Sequence, residues 1–131
     1  MPDAIRLTIP YARSYAGVIR LVVGGLAARL DLPYESLEDV QLALETLLAN
    51  GSYAASEAVT VEIEVADGVL GVSMGPLARR ELEADLARDP EGEGVGLGRL
   101  LTTVMGGYEL DRREGAEWVR MRKRLRDGAG A

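Results

Sequence analysis

"LALETLLANGSYA", residues 42–54, contains the end of a helix, and the position of that end decides which side chains share a face. Read backward from it, Leu37, Val40, Leu44, Leu47 and Leu48 recur at spacings of three and four, the buried stripe of an amphipathic helix. Pro33 suits the first turn, and Glu35, Glu38 and Asp39 favour the positive end of the helix dipole. Asn50 and Gly51 form a common stop, so the pattern predicts a helix from about Pro33 to Ala49. Glu45 and Asn50 flank that stop, either as an acid and a metal-holding amide or as a helix flank and its cap. Residues five apart lie about 140° apart on the wheel, so a regular helix sets this pair on opposite sides of the leucine stripe. A bulge of one residue would bring them together.

Toward the N-terminus, "AIRLTIP" alternates Ile5, Leu7 and Ile9 against Arg6 and Thr8, the mark of a half-buried strand. Between them, Tyr15, Val18, Ile19, Val22, Leu26 and Leu30 trace another helical stripe, in which Gly24 and Gly25 suggest a packing notch for a neighbouring element. Toward the C-terminus, "VTVEIEV" and "VLGVSM" alternate around Asp67-Gly68, a hairpin signal. A charged helical stretch at residues 77–88 reads as a docked helix or a lid. "DPEGEGVG" is a loop, "GRLLTTVM" a last helix, and "YELDR" and "AEWVRMRKRL" a closing hairpin before a frayed tail. The order β-α-α-β-β-α-α-β-β predicts an α+β fold: a two-layer α/β sandwich with helices on one face of a mixed, mostly antiparallel sheet.

Composition narrows the chemistry. The 131 residues suit one domain, 1–131, and are 47% apolar and 27% charged, the balance of a globular chain. No apolar run is long enough to cross a bilayer, and "MPDAIRL" lacks a signal pattern, so a cytoplasmic location is expected and no membrane partner. With no cysteine and no histidine, thiolate catalysis, disulfides, histidine phosphotransfer and the usual zinc sites are excluded. A net charge of −6, with one Trp, five Tyr and no Phe, argues against nucleic acid as a partner. The basic alternation Arg120, Arg122, Arg124, Arg126 reads as a solvated sheet face or as a docking surface for an acidic partner.

"EGEGVGLGRLL" places Gly94, Gly96 and Gly98 before and within a helix entry, where backbone N–H groups and the helix dipole favour an anion. Together with the two early helices and the hairpin, the chain resembles the anti-sigma factor serine kinases, members of the histidine-kinase-like ATPase superfamily with the Bergerat fold. The stretch "IRLTIPYARSYAGVIRLVVGGLAARLDLPYESLEDVQLALETLLANGSYA" resembles that family's N-terminal half, and "GVGLGRLL" its second glycine box. The resemblance implies a catalytic base on the second helix, followed four residues later by an asparagine that helps hold magnesium. Counted without a gap, Glu45 takes the base's position and Ala49 the asparagine's, leaving Asn50 one step late as a cap.

The family's first glycine box is Asp-x-Gly-x-Gly, and its carboxylate reads adenine. Here "SMGPL" puts Ser73 in the aspartate's place, keeps Gly75 and replaces the second glycine by Leu77. These departures imply that the cofactors of the family, ATP and Mg, bind weakly or are lost, and no metal site is expected. The implied function is an anti-sigma-factor-type regulatory protein that binds partners in a partner-switching system. Those partners would be a sigma factor or an anti-sigma antagonist domain, with a second copy making a homodimer, and Arg13, Arg20 and Arg29 are candidate partner-binding residues. The alternatives are an active ATP-dependent serine kinase of the same family and, from another class, an N-acetyltransferase whose acetyl-CoA loop "EGVGLGRLL" resembles.

Overall fold

The computed structural model describes residues 3–88 and 96–125. Strand β1 (Asp3–Pro10) leads through a short 3-10 turn (Arg13–Tyr15) into α1 (Ala16–Leu30) and α2 (Tyr34–Ala49). After a second 3-10 turn (Gly51–Tyr53) come β2 (Ala58–Ala66), β3 (Val69–Leu77), α3 (Arg79–Ala87), α4 (Leu97–Met105), β4 (Tyr108–Arg113) and β5 (Ala116–Arg124). The sheet order is β1-β2-β3-β5-β4, and every pairing among the described residues is antiparallel, so the sheet is antiparallel throughout rather than mixed. Both hairpin turns have left-handed backbone at two successive residues, Asp67 (φ 53°) with Gly68 and Glu114 (φ 52°) with Gly115, the turn that matches strand twist. Where an acetyl-CoA loop needs a strand just upstream, α3 stands instead, which removes the acetyltransferase reading.

The core lies between one face of the sheet and the helices. Ile9, Val59, Val61, Ile63, Val72, Met74, Val119 and Met121 meet Ile19, Val23, Leu26, Val40, Leu44, Leu47, Leu48, Leu82 and Leu101 there. On α2 the buried line is close to the one the spacing predicts, with Ala43 added and Leu37 half-buried. On α1 it is shifted: Ile19, Val23, Leu26 and Ala27 are buried, while Tyr15 and Val18 are exposed. The run "VIRLVV" contains two competing stripes, and sequence periodicity could not separate them. Gly24 and Gly25 form no notch, because a Cβ added at either would meet nothing within 4 Å. Leu82, fully buried, docks α3 rather than leaving it a free lid. Lys123 on β5 joins the layers, donating to the Val104 carbonyl (2.8 Å) and pairing with Asp39 (2.6 Å).

The opposite sheet face is charged and polar. Trp118 is buried there outside the core cluster, seated on Gly75, with the Arg113 guanidinium 4.4 Å above its ring. A Cβ on Gly75 would approach that ring to 2.4 Å, so the glycine is needed for close packing. Gly75→Ala is therefore expected to lower stability by about 1–3 kcal/mol through overpacking. Urea unfolding followed by Trp118 fluorescence reads the change, and an unaltered midpoint would contradict this packing.

Candidate functional site

A cleft of ≈ 300 Å³ opens where the C-terminal end of α2, the 51–53 turn, α3 and the N-terminal end of α4 meet. Thr46 and Asn50 form one wall, Tyr53, Asp85 and Arg88 the second, and Gly96, Leu97 and Leu100 the third. Several bonds fix the α2 end. Tyr11, just beyond β1, donates its hydroxyl to the Leu47 carbonyl (2.6 Å), and burial pushes its phenol pKa well above the usual value. Asn50 turns extended (φ −102°, ψ 101°), and its Oδ1 accepts from the Ser52 N–H (3.0 Å) and the Ser52 hydroxyl (2.7 Å). The following turn is stitched to the end of β3 by the Ala78 N–H on the Tyr53 carbonyl (2.7 Å).

Asp85 is saturated. Its Oδ2 accepts from the Tyr53 hydroxyl (2.5 Å) and its Oδ1 from Arg88 (2.7 Å). Burial, reinforced by the bond to Asp85, raises the Tyr53 phenol to about 12. Gly96 precedes α4 in extended conformation with no side-chain cap, so the first N–H groups of that helix and the Arg88 guanidinium give the cleft its positive end. Gly98 has a packing reason of its own: an added Cβ would lie 3.1 Å from both the Leu86 carbonyl oxygen and the Tyr108 hydroxyl.

The sequence candidates do not converge on this cleft. Asn50 and Gly96 line it, and Gly98 lines a neighbouring hollow with Leu86 and Tyr108. Gly94 lies outside the described residues. Glu45 is not a lining residue: its Oε1 accepts from Nε (3.1 Å) and Nη2 of Arg20, across the α1–α2 interface. Ala49 is exposed and also outside the cleft. Ser73 and Gly75 sit on the far face of the sheet, Ser73 opposite Glu62 and Arg120 and Gly75 under Trp118. Arg13, Arg20 and Arg29 are exposed, and Arg20 is engaged by Glu45.

The residue one helical turn before Asn50 on the cleft wall is Thr46, whose hydroxyl donates to the Leu42 carbonyl (2.7 Å). Spacing alone could have found it, because i and i+4 share a face. The Asp85 and Arg88 pair is likewise an i, i+3 signal on a helix. Nothing local announces the Tyr53 contact, since it depends on the turn after α2. As a receptor for magnesium and adenine the arrangement fits poorly: the cleft has a single carboxylate, which is held by Tyr53 and Arg88, the Asn50 oxygen is used in the cap, and Ser73 is on the other side of the sheet. Among the described residues no group of three or more His, Cys, Asp or Glu could hold a metal ion.

The chain is related in sequence to proteins called serine-protein kinase RsbW. It is 37% identical over 49 residues to that of Halalkalibacterium halodurans, covering 37% of this chain and 30% of the relative. The Oceanobacillus iheyensis protein is 32% identical over 68 residues, 51% of this chain and 43% of the relative, so these two matches span less than half the length of the relatives. A longer match, 27% identical over 129 residues, covers 86% of this chain and 80% of the Bacillus thuringiensis protein. No family model matches the chain. The fold is shared with the crystal structure of the RsbU and RsbW domains of Rv1364c from Mycobacterium tuberculosis, at TM-score 0.66 and 13% identity over 94% of this chain and 32% of that one.

The Tyr53–Asp85 bond predicts a pH signature. The folded chain keeps the phenol neutral up to about 12, whereas the unfolded chain ionises it near 10. This contribution is fully present below pH 10 and is lost as pH rises through about 12. The stability advantage of wild type over Tyr53→Phe should be full near pH ~9 and shrink toward pH ~11.5. Urea unfolding of both proteins across that range checks it, and a constant gap would contradict a buried, bonded phenol.

Proposed function

We propose that this chain is a single-domain, cytoplasmic, anti-sigma-factor-type regulator that acts by binding protein partners in a partner-switching system, with its nucleotide site eroded. The relation to proteins called serine-protein kinase RsbW and the shared RsbW-domain fold support the regulatory class. The observation that carries the eroded site is on α2. The cleft-facing pair is Thr46 and Asn50, while the helix's carboxylate, Glu45, is directed to Arg20. A phosphoryl-transfer site needs a positioned base beside a metal-bridged phosphate, and a threonine is no base at neutral pH. What remains in the cleft, Arg88 and the uncapped end of α4, suits an anion without specifying a nucleoside.

The partners under this reading are a sigma factor or an anti-sigma antagonist domain, with a second copy of the chain in the working unit. The surface for the first of these is α1, whose charged residues are Arg20 and Arg29, with Arg13 just before it. Its outer side also carries Leu21, 77% exposed, beside Val18. An acidic partner group that takes Arg20 must compete with Glu45, so Glu45→Gln should tighten such a complex by about twofold to tenfold. Surface plasmon resonance against the cognate sigma factor measures it, and weakened binding would show that Arg20 needs Glu45 to be held in position.

Ligand binding to the folded state raises the melting temperature by linkage, with about 2.7 kcal/mol of stabilisation when ligand is a hundredfold above its Kd. Millimolar ATP with magnesium is expected to leave the melting temperature unchanged in wild type. Thr46→Glu, which puts a carboxylate on the cleft wall one turn before Asn50, is expected to introduce a magnesium-dependent shift. A clear wild-type shift with ATP and magnesium would instead support a working kinase.

A further inference from the structure

The sheet face turned away from the helices takes no part in the cleft, yet two of its central rows carry ordered charges. Directly opposed residues run across all five strands as Arg6, Glu62, Ser73, Arg120 and Glu109. About central β3 the signs are plus, minus, neutral, plus, minus. The neighbouring row repeats the rule with Glu64, Gly71 and Arg122 across β2, β3 and β5. Reflecting either row about β3 turns each charge into its opposite.

A two-fold axis lying in the plane of this face and parallel to β3 performs that exchange between two molecules. It lays β2 of one copy over β5 of the other and β1 over β4, as an isologous interface requires. We propose that this face is the contact through which two copies of the chain associate, with Glu64 of each against Arg122 of the other and Glu62 against Arg120. The inference rests on the reading that the working unit contains a second copy, and adds where the two meet.

The surroundings suit such a contact. Gly71 and Ser73 leave a hollow of ≈ 200 Å³ between the acidic and basic walls, so the axis passes over small residues. Glu64 and Arg122 are exposed, and neither they nor Arg120 has a hydrogen bond or ion pair among the described residues. Glu62 already accepts from Arg113 (2.6 Å) and pairs with Arg6 (3.6 Å), so the pairing of Glu64 with Arg122 carries the larger share of the specificity. The hollow is polar and lies in solvent, which makes the association sensitive to ionic strength, since salt at 0.15 M screens exposed charges beyond about 8 Å. A second copy matches this antisymmetric pattern by symmetry.

Sedimentation equilibrium of the full chain at low and high salt tests the proposal. Wild type should dimerise at low salt and weaken as salt rises. Glu64→Arg and Arg122→Glu should each raise the dimer Kd by about tenfold or more through like-charge contact. Mixing the E64R and R122E proteins should restore a dimer, because each then meets its opposite across the axis. Circular dichroism melting of each variant verifies that it is folded. A wild-type dimer indifferent to E64R, R122E and their mixture would overturn this surface while leaving the homodimer reading intact. A wild-type chain that stays monomeric at low salt and high protein concentration would overturn both.

Discussion

The end of α2 is the constraint on which the site depends. A helix that ran one residue further would hold Asn50 in helical backbone and remove the extended conformation in which its side chain caps the next turn. Instead Tyr11 bonds the Leu47 carbonyl from β1, and the Asn50 oxygen folds back onto Ser52. These contacts place the stop after Ala49, and the helical phase then leaves no choice about faces. Thr46 and Asn50 meet the cleft, Glu45 meets α1, and Leu44, Leu47 and Leu48 meet the core. The same stop launches the 51–53 turn, which holds Tyr53 against Asp85 and so closes the cleft's far wall.

From that arrangement follows a division of labour between the layers. The helix layer forms the core with one sheet face and shapes a cleft whose charged groups, Asp85 and Arg88, are joined by one hydrogen bond, from Nη2 to Oδ1. With the Tyr53 bond to Oδ2, this pair ties α3 to the turn after α2. The outer sheet face carries a network of its own, in which Arg113 stacks on Trp118 and reaches Glu62. Partner recognition, on this account, is spread over two surfaces on opposite sides of the molecule: basic and apolar on α1, alternating in charge on the sheet.

The fold was legible because its strands alternate cleanly and its hairpins end in Asp-Gly and Glu-Gly, local signals that survive tertiary context. The stripe of α2 was legible for the same reason. The stripe of α1 was not, since "VIRLVV" allows two helical faces and only packing against α2 and the rest of the core chooses Ile19 and Val23 over Val18. The site was legible only in part. The separation of Glu45 from Asn50 follows from the helical repeat, and the same repeat sets Thr46, four residues before Asn50, on its face. Ser73 shows the complementary difficulty: a sequence match along β3 cannot report that the serine points through the sheet, away from the helices.

The central claim is that no acid and amide on α2 act together on a metal-bound nucleotide. Isothermal titration calorimetry of wild type with ATP, run with and without magnesium, addresses it most directly. The account predicts binding that is absent or weak, and equal in the two titrations, because the cleft presents only a helix end and an arginine to the phosphates. A tight, magnesium-dependent isotherm would contradict it, requiring Glu45 to leave Arg20 or Asn50 to leave Ser52.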